Sequence, residues 1–310
     1  MKRGLIFLIF IFILARLYYF VTDDFRLSNI SYDLPYNPEW SSEPLTAAFI
    51  PILQQPFSYL GKGAQVYAFE SQDKKYVLKF FKFKHIRPSL FIEWLPPIGP
   101  LEAFKKQKSE KKANKVRNIF RGYKIAYDRD RNYSGLLYIH LNKSSDINLQ
   151  ATLIDKIGLK HLVNLDDTVF ILQKRGETFR SRLAKDLARG DLARAETHIH
   201  QILNMYLDEY ANGVFDRDHG VMQNSGFIDE EPFHLDVGKF SSADSSQNIE
   251  FYEKDLIWVA LKIKFWLQKN YPQHANALTD SLNAFLSQKF AHLIDLRSYS
   301  HLPKKSPPSR

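Results

Sequence analysis

Four polar residues in the segment 213–240, GVFDRDHGVMQNSGFIDEEPFHLDVGKF, have the side chains and the spacing of a magnesium–phosphate site. Asp216 and Asp218 come first, Asn224 follows six positions after Asp218, and Asp236 follows twelve positions after Asn224. Carboxylate and amide oxygens suit Mg²⁺ in phosphoryl transfer, and a further carboxylate can orient an acceptor hydroxyl. The alternative interpretation is a pair of polar turns around a hairpin, with the two aspartates capping a turn.

A second candidate region lies upstream, in the tripeptide Gly61-Lys62-Gly63. Glycine lets backbone N–H groups approach a phosphate closely, although two glycines in a hairpin also suit an ordinary tight turn. Lys79 follows sixteen positions after Gly63, among apolar residues of an expected strand. A lysine in that setting must either reach solvent along its stem or bind an anion. The combination favours an anion-binding hairpin and strand.

These motifs, in this order, resemble those of the protein-kinase-like superfamily. LGKGAQVYAFES (60–71) is similar to the glycine-rich loop, and VLK (77–79) is similar to the strand that carries the ATP-binding lysine. The resemblance implies that Gly61 and Gly63 cover the phosphates of ATP between two lobes. It also implies that Lys79 binds the α- and β-phosphates and that Val66 covers the adenine. The third glycine of the family loop is absent.

The downstream motif resembles the catalytic segment of the same family. FDRD is similar to His-Arg-Asp, with Asp216 in place of the histidine. The resemblance implies that Asp218 is the catalytic base, that Asn224 binds Mg²⁺ and that Asp236 is the bridging carboxylate. The step from Asp218 to Asn224 is one position longer than in the family, so the base role stays open between Asp218 and Asp216. The intervening SGFIDEEPFH is expected to form a short hairpin that returns Asp236 to Asn224.

A kinase helix also supplies a glutamate that pairs with the strand lysine. The pattern from Leu101 to Tyr127 predicts a helix with one apolar stripe. The stripe consists of Val116, Ile119, Phe120, Tyr123 and Tyr127. Counting 100° per residue places Glu102 within that stripe and Glu110 outside it, so Glu102 is the better candidate partner for Lys79.

The chain downstream of Asp236 is short, and no Ala-Pro-Glu motif follows it. The chain therefore resembles the smaller atypical members, such as small-molecule phosphotransferases and bacterial sugar or lipopolysaccharide-core kinases. Asp255 stands near the start of an expected helix. It either braces the catalytic loop or serves as a helix cap or dipole partner.

The remaining patterns predict an α+β fold with two lobes, an antiparallel-sheet N-lobe with one helix and a helical C-lobe. Strands are expected in 57–84 (three strands), 135–142, 151–158 and 168–174, and helices in 179–211, 250–271 and 277–294. The expected organisation is a signal anchor or transmembrane helix at 1–21, a linker at 22–56, an N-lobe at 57–175, a C-lobe at 176–300 and a disordered tail at 301–310.

The N-terminal segment predicts a single-pass membrane protein. Lys2 and Arg3 precede an apolar run over residues 4–21 that Arg16 interrupts, and no small-x-small cleavage pattern follows, which favours an uncleaved anchor over a cleaved signal. The positive-inside rule places the main domain on the far side of the membrane, where ATP is scarce. Arg16 could instead mark the cytoplasmic border, so the side stays open.

Composition restricts the remaining classes. The chain of 310 residues has no cysteine, which excludes disulfides, thiolate metal sites and a cysteine nucleophile. Its formal charge is +9, and seven Lys or Arg lie in 104–117, where a solvated helix face is favoured over a nucleic-acid surface. The leading hypothesis is a membrane-anchored phosphotransferase that uses ATP and Mg²⁺. The alternatives are a pseudokinase scaffold and a basic membrane-surface adaptor; the phosphate acceptor and the oligomeric state stay open.

Overall fold

The computed structural model describes residues 2–86, 92, 94–96, 98–242 and 248–302. Two compact units are present: unit 1 comprises Met1–Phe120 and Leu137–Arg175, and unit 2 comprises Arg121–Leu136 and Gly176–Arg310. Unit 1 contains a mainly antiparallel sheet, and unit 2 is largely helical. The expected α+β class is confirmed. Of the expected tail 301–310, residues 303–310 lie outside the described residues.

The sheet of unit 1 has seven strands in the order β4-β7-β3-β2-β1-β5-β6. They are β1 Pro56–Lys62, β2 Val66–Ser71, β3 Tyr76–Phe81, β4 Leu136–His140, β5 Gln150–Ile154, β6 Lys160–Asn164 and β7 Phe170–Lys174. The three expected strands of 57–84 are confirmed as an antiparallel meander, whereas β1 pairs with β5 in parallel. The alternation of apolar and polar residues places one face of these strands in a core that includes Phe57, Phe69 and Leu78. Sequence analysis missed β6, where Val163 is buried and Leu162 is exposed.

Helix α2, Pro100–Arg129, is the longest helix described. The apolar stripe expected in its second half is confirmed, because Val116, Ile119, Phe120, Tyr123 and Tyr127 are all buried. The expectation that Glu102 lies in this stripe is wrong, since its side chain, in the first turn, is exposed. The side chain of Glu110, further along the helix, is exposed as well. The first turns of the helix are solvated, so counting 100° per residue from the buried stripe does not predict which side chains are buried there. The pairing of Glu102 with Lys79 stays a prediction.

Unit 2 is built around α3 Phe179–Ala188, α4 Leu192–Ala211, α5 Ile249–Asn270 and α6 Pro272–Phe290. The helical region expected over 179–211 contains two helices, because Gly190 adopts φ 72° and Asp191 caps α4 by accepting a hydrogen bond from the Arg194 amide. Leu183, Ile199, Leu256 and other apolar residues from these helices form one core.

Two small sheets complete unit 2. β8 Glu177–Thr178, β10 Ser225–Ile228 and β11 Glu231–His234 form an antiparallel sheet in the order β11-β10-β8, and β9 Val214–Asp216 pairs antiparallel with β12 Phe240–Ser242. Short helical turns lie at Leu27–Ile30, Pro38–Trp40, Ala47–Phe49, Ile50–Leu53, Phe83–Ile86, Arg131–Ser134, Val221–Asn224 and Leu296–Ser298. The polar segment 213–242 is therefore held by three antiparallel strand pairings.

The N-terminal segment forms helix α1, Lys2–Thr22. Its apolar side chains from Ile6 to Val21 are largely solvent-exposed on every side of the helix. Within the residues whose side chains are described, which begin in this helix at Ile6, no helix has both the length and the apolar character needed to cross a bilayer.

The β8–β10 pairing depends on the absence of a side chain at Gly226. A Cβ at this position would lie 2.0 Å from the carbonyl oxygen of Glu177, which is backbone and cannot move cheaply. We expect Gly226→Ala to lower the free energy of unfolding by about 1–3 kcal/mol, measured by urea titration. Gly61→Ala is the matched control, since nothing lies within 4 Å of its added Cβ. Equal stability of the two variants would contradict this account of the sheet.

Candidate active site

The β10–β11 hairpin brings Asn224 next to the segment that contains Asp236. Ser225 lies opposite His234 in the hairpin, and the Leu235 amide donates to the Asn224 carbonyl over 2.6 Å. The hairpin expected between Asn224 and Asp236 is thus present. Its register closes the intervening loop and leaves both candidate Mg²⁺ ligands at the same end of the two strands.

Asp218 is held at both carboxylate oxygens and is still reachable from solvent. The Asn224 amide donates to its Oδ2 over 2.7 Å, and the Lys239 ammonium donates to its Oδ1 over 2.6 Å. The Asp218 side chain is 28% exposed, and that of Lys239 is 52% exposed. A carboxylate in this setting has a defined orientation and can face an incoming hydroxyl.

Asp216 has a different environment, because only 1% of its surface is exposed. Its Oδ1 accepts a hydrogen bond from the Asp218 backbone amide over 2.8 Å. Burial raises the pKa of the Asp216 carboxyl, and the nearby His234 opposes this rise. Asp216 therefore supports the Asp218 backbone from below, in a position that an acceptor cannot reach.

Asp236 lies on a short segment packed against helix α2. Its Oδ1 accepts from the Gly238 amide over 3.0 Å. A Cβ on Gly122 would lie 2.8 Å from the Val237 carbonyl oxygen, so glycine allows the helix to approach this segment. Burial raises the pKa of the neighbouring Tyr123 hydroxyl well above its usual value, and the Asp236 carboxylate adds to this effect. The helix thus places a neutral phenol beside Asp236.

His219 and Asp255 connect the Asp218 loop to helix α5. His219 has φ 51°, and its Nε2 is hydrogen-bonded to Oδ1 of the fully buried Asp255. The Tyr210 hydroxyl donates to Oδ2 of the same carboxylate over 2.5 Å, and the Lys262 ammonium donates to the His219 carbonyl over 2.5 Å. Asn248 is the N-cap of α5, so Asp255 does not cap the helix. The alternative in which Asp255 braces the loop is the one the contacts support.

Beneath the loop lies a buried cluster of Asp130, Glu209, Asp216 and His234, which we call the acidic cluster. His234 Nε2 is 2.7 Å from Glu209 Oε1, and both side chains are 0% exposed. Burial is the main reason that the pKa of Glu209 lies well above its usual value, and the nearby Asp216 raises it further. Burial lowers the pKa of His234. Burial, reinforced by Glu209, raises the pKa of Asp130 to about 8.

Burial therefore favours the neutral forms of these carboxyls, because several unneutralised carboxylates would be too costly at this depth. Across the part of the chain that the structure describes, no group of three His, Asp or Glu side chains has an arrangement suited to a metal ion.

The candidate nucleotide residues of unit 1 lie on its first three strands. Gly61 and Gly63 are in and just after β1, where an added Cβ would meet nothing closer than 3.8 Å. Val66 begins β2, and Lys79 lies on β3 with 8% of its surface exposed. Protein packing does not require glycine at either position, which leaves room for another group to approach the backbone.

Sequence analysis missed the residues that support this site. Lys239 directly follows the Asp-Val-Gly motif and His219 directly follows Asp218, so adjacency to the motifs was a usable signal. Lys82 also has a role, since its ammonium donates to the Gly63 carbonyl over 2.5 Å, and burial lowers its pKa to about 8. The acidic cluster carried no such signal, because its members are far apart in the chain.

Comparisons with known proteins give a weak likeness. No protein-family model and no curated protein matches the sequence. A crystal structure of WbdD has a TM-score of 0.36 and 13% identity, covering 77% of this chain and 46% of that chain. A structure of the bifunctional kinase–methyltransferase WbdD has a TM-score of 0.36 and 14% identity, covering 78% and 48%. WbdD bound to a kinase inhibitor has a TM-score of 0.35 and 12% identity, covering 76% and 46%.

The chain thus spans about half the length of the WbdD chains to which it is similar. At such TM-scores the likeness carries no argument about fold or activity.

The raised pKa of Asp130 predicts how stability depends on pH. A carboxyl whose folded pKa lies above its unfolded value stabilises the fold fully below the unfolded pKa, and this contribution declines until the pH passes the folded pKa, here about 8. Asp130→Asn removes the titration and keeps nearly the same side-chain volume. We expect the variant to melt about 2–4 °C above the wild type at pH 8 and to lose this advantage near pH 4. Calorimetry that gives one constant difference at all pH values would contradict the proposed protonation.

Proposed function

We propose that this protein is a kinase-like phosphotransferase that uses ATP and Mg²⁺ to phosphorylate a hydroxyl acceptor. The observation that supports it most is the arrangement in unit 2, where one hairpin places Asn224 and Asp236 together and Asn224 in turn binds Asp218. Three residues identified from motif order alone are thereby brought to one end of the hairpin. The chemistry of phosphoryl transfer requires this combination of hard oxygen ligands and an orienting carboxylate.

Asp218 is the catalytic residue of this proposal, and its greater exposure supports it over Asp216. Asp218 can accept the proton of an acceptor hydroxyl, whereas Asp216 is buried and holds the Asp218 amide. Lys239 holds one Asp218 oxygen, so the side chain would be oriented before the acceptor arrives. As in other sites of this kind, the protein contributes mainly orientation and electrostatics.

Asn224 and Asp236 would hold Mg²⁺, and their oxygen donors and partial exposure suit this ion. The ion would neutralise charge on the phosphates. In unit 1, Gly61 and Gly63 would let backbone amides meet the phosphates, Val66 would cover the adenine, and Lys79 would bind the α- and β-phosphates. The open space at both glycines supports this role.

The second candidate function is a nucleotide-binding pseudokinase. The same Asp218 contacts favour it, because a carboxylate already bound by Asn224 and Lys239 has less capacity left for an acceptor. Replacement of the family histidine by Asp216 is a further departure. The two functions differ in phosphate transfer and share nucleotide binding.

We also propose that residues 4–21 attach the chain to a membrane as a single-pass anchor. The support is the exposed apolar surface of α1, which is apolar all round from Ile6 to Val21 except at Arg16. A helix with such a surface is stable either in a protein core or in lipid. The basic run 104–117 is largely exposed on α2, consistent with a solvated face, and we propose no nucleic-acid partner.

The Mg²⁺ ligands can be tested without any acceptor. ATP with Mg²⁺ at one hundred times its Kd should stabilise the protein by about 2.7 kcal/mol, which raises the melting temperature by roughly 5–10 °C. ATP with a chelator should do so much less. Asp236→Asn should remove the Mg²⁺ dependence and leave the unliganded melting temperature nearly unchanged. Glu231→Gln, an exposed carboxylate of the same hairpin, is the control. A wild-type melting curve indifferent to ATP and Mg²⁺ would exclude the site.

The base assignment is tested by two isosteric variants. Asp218→Asn should lower transfer at least about 100-fold while the thermal shift with ATP and Mg²⁺ is retained. Asp216→Asn keeps an oxygen that can accept from the Asp218 amide, so transfer should fall by less than about 10-fold. Release of ADP and labelling of a panel of sugars, lipids and peptides are the measurements. The reverse order of the two variants would reassign the base, and a wild type that binds ATP without transfer to any acceptor would favour the pseudokinase.

A further inference from the structure

The turn between β5 and β6 displays apolar side chains on a well-ordered support. Ile157, Leu159 and Leu162 are 44%, 56% and 65% exposed. Asp155 organises the turn, because its Oδ1 accepts from the Ile157 amide over 3.1 Å and from the Leu159 amide over 2.9 Å. The conformation that exposes these side chains is thus built by specific hydrogen bonds.

This turn lies beside the end of helix α1. The Lys156 ammonium is 3.2 Å from Oδ2 of Asp23, and the Tyr59 hydroxyl of β1 donates to the same Oδ2 over 3.1 Å. The Tyr67 hydroxyl of β2 donates to the Asp24 carbonyl over 2.7 Å. The C-terminal end of an apolar helix and an exposed apolar turn are therefore both joined to one sheet.

Cations surround this junction. Lys62, Lys84, Lys156 and Arg26 contact Asp23 or Asp24, and Lys160 is exposed between Leu159 and Leu162. Asp155 is engaged by His161 over 2.8 Å. Five cations thus stand against three carboxylates, which leaves the junction positively charged and complementary to an anionic surface.

We propose that residues 155–162, the apolar turn, dock on the surface of a bilayer containing acidic phospholipids, next to the point where α1 enters it. Apolar side chains flanked by lysines partition at the headgroup boundary, where the ammonium groups meet lipid phosphates. Continuity with the apolar surface of α1 favours lipid over a protein partner. The inference rests on the proposed membrane attachment and is independent of phosphate transfer.

Docking would orient unit 1 at the membrane, because two separate parts of it, helix α1 and the apolar turn, would touch lipid. A single flexible anchor leaves a domain free to rotate, whereas a second contact restricts it. An acceptor embedded in or bound to the same membrane would then be presented in a limited range of orientations.

The test uses the natural absence of cysteine. Single-cysteine variants of the full chain, Leu159→Cys in the apolar turn and Ile9→Cys in α1, carry an environment-sensitive dye in nanodiscs. Gln72→Cys is the control, since it is exposed in the β2–β3 turn, at the opposite end of β1 from Lys62. The discs contain phosphatidylcholine with or without phosphatidylglycerol, and spin labels are placed at the headgroup or deep in the acyl chains.

We expect headgroup spin labels to quench the Leu159 probe about twofold in discs with phosphatidylglycerol, and deep labels to quench the Ile9 probe, with Gln72 unaffected. Quenching at Ile9 but not at Leu159 would overturn docking and leave the anchor intact. Quenching at neither position would remove both. Equal quenching at Leu159 in neutral discs would overturn the acidic-lipid assignment, and concentration-dependent burial of Leu159 in detergent would show a second copy of the chain instead. The ATP thermal shift, measured on the same samples, reports separately on the proposed function.

Discussion

The buried carboxylate of Asp255 is the interaction on which the candidate site depends. A buried polar group is tolerated only where hydrogen-bond partners compensate for its lost hydration, and here Tyr210 and His219 are the partners of the two Asp255 oxygens. His219 adopts φ 51°, a conformation that residues other than glycine rarely populate, so the loop needs a contact to hold it. Asp218 immediately precedes His219. Its backbone position therefore follows from the same bond.

Ionisable side chains lie on both the buried and the solvent-facing side of this loop. Beneath it, the acidic cluster is buried, and the raised pKa values of Asp130, Glu209 and Asp216 show that burial favours their neutral forms. Above it, Asp218 and Lys239 form an exposed ion pair. Neutral carboxyls below the loop would not repel the Asp218 side chain above it, whereas charged ones would. The catalytic proposal thus relies on protonation of groups that never meet a substrate.

In unit 1, specific contacts join the C-terminal end of the apolar helix α1 to the seven-stranded sheet. Hydrogen bonds from Tyr59 and Tyr67 and ion pairs from three lysines fix Asp23 and Asp24 at the end of α1. Burial raises the pKa of Tyr67 to about 12, so its hydroxyl remains a donor at any physiological pH. The helix axis is therefore set by the sheet, although each exposed ion pair contributes little on its own.

Local patterns in the sequence determined the β1–β3 meander, the buried stripe of α2, the β10–β11 hairpin and the candidate residues from Asp216 to Asp236. Alternation, helical periodicity and turn residues act over a few positions, so they can be read without a fold. The placement of Glu102 in the buried stripe is wrong, and the break at Gly190 was not predicted, because side-chain burial and the αL turn depend on what packs against the chain. Only the tertiary structure decided that Asp216 is buried while Asp218 is exposed, that Asp255 braces the loop, and that Asp130, Glu209 and His234 share one site. Those relations join residues far apart in sequence, and their energies arise from desolvation and contact, which no local pattern encodes.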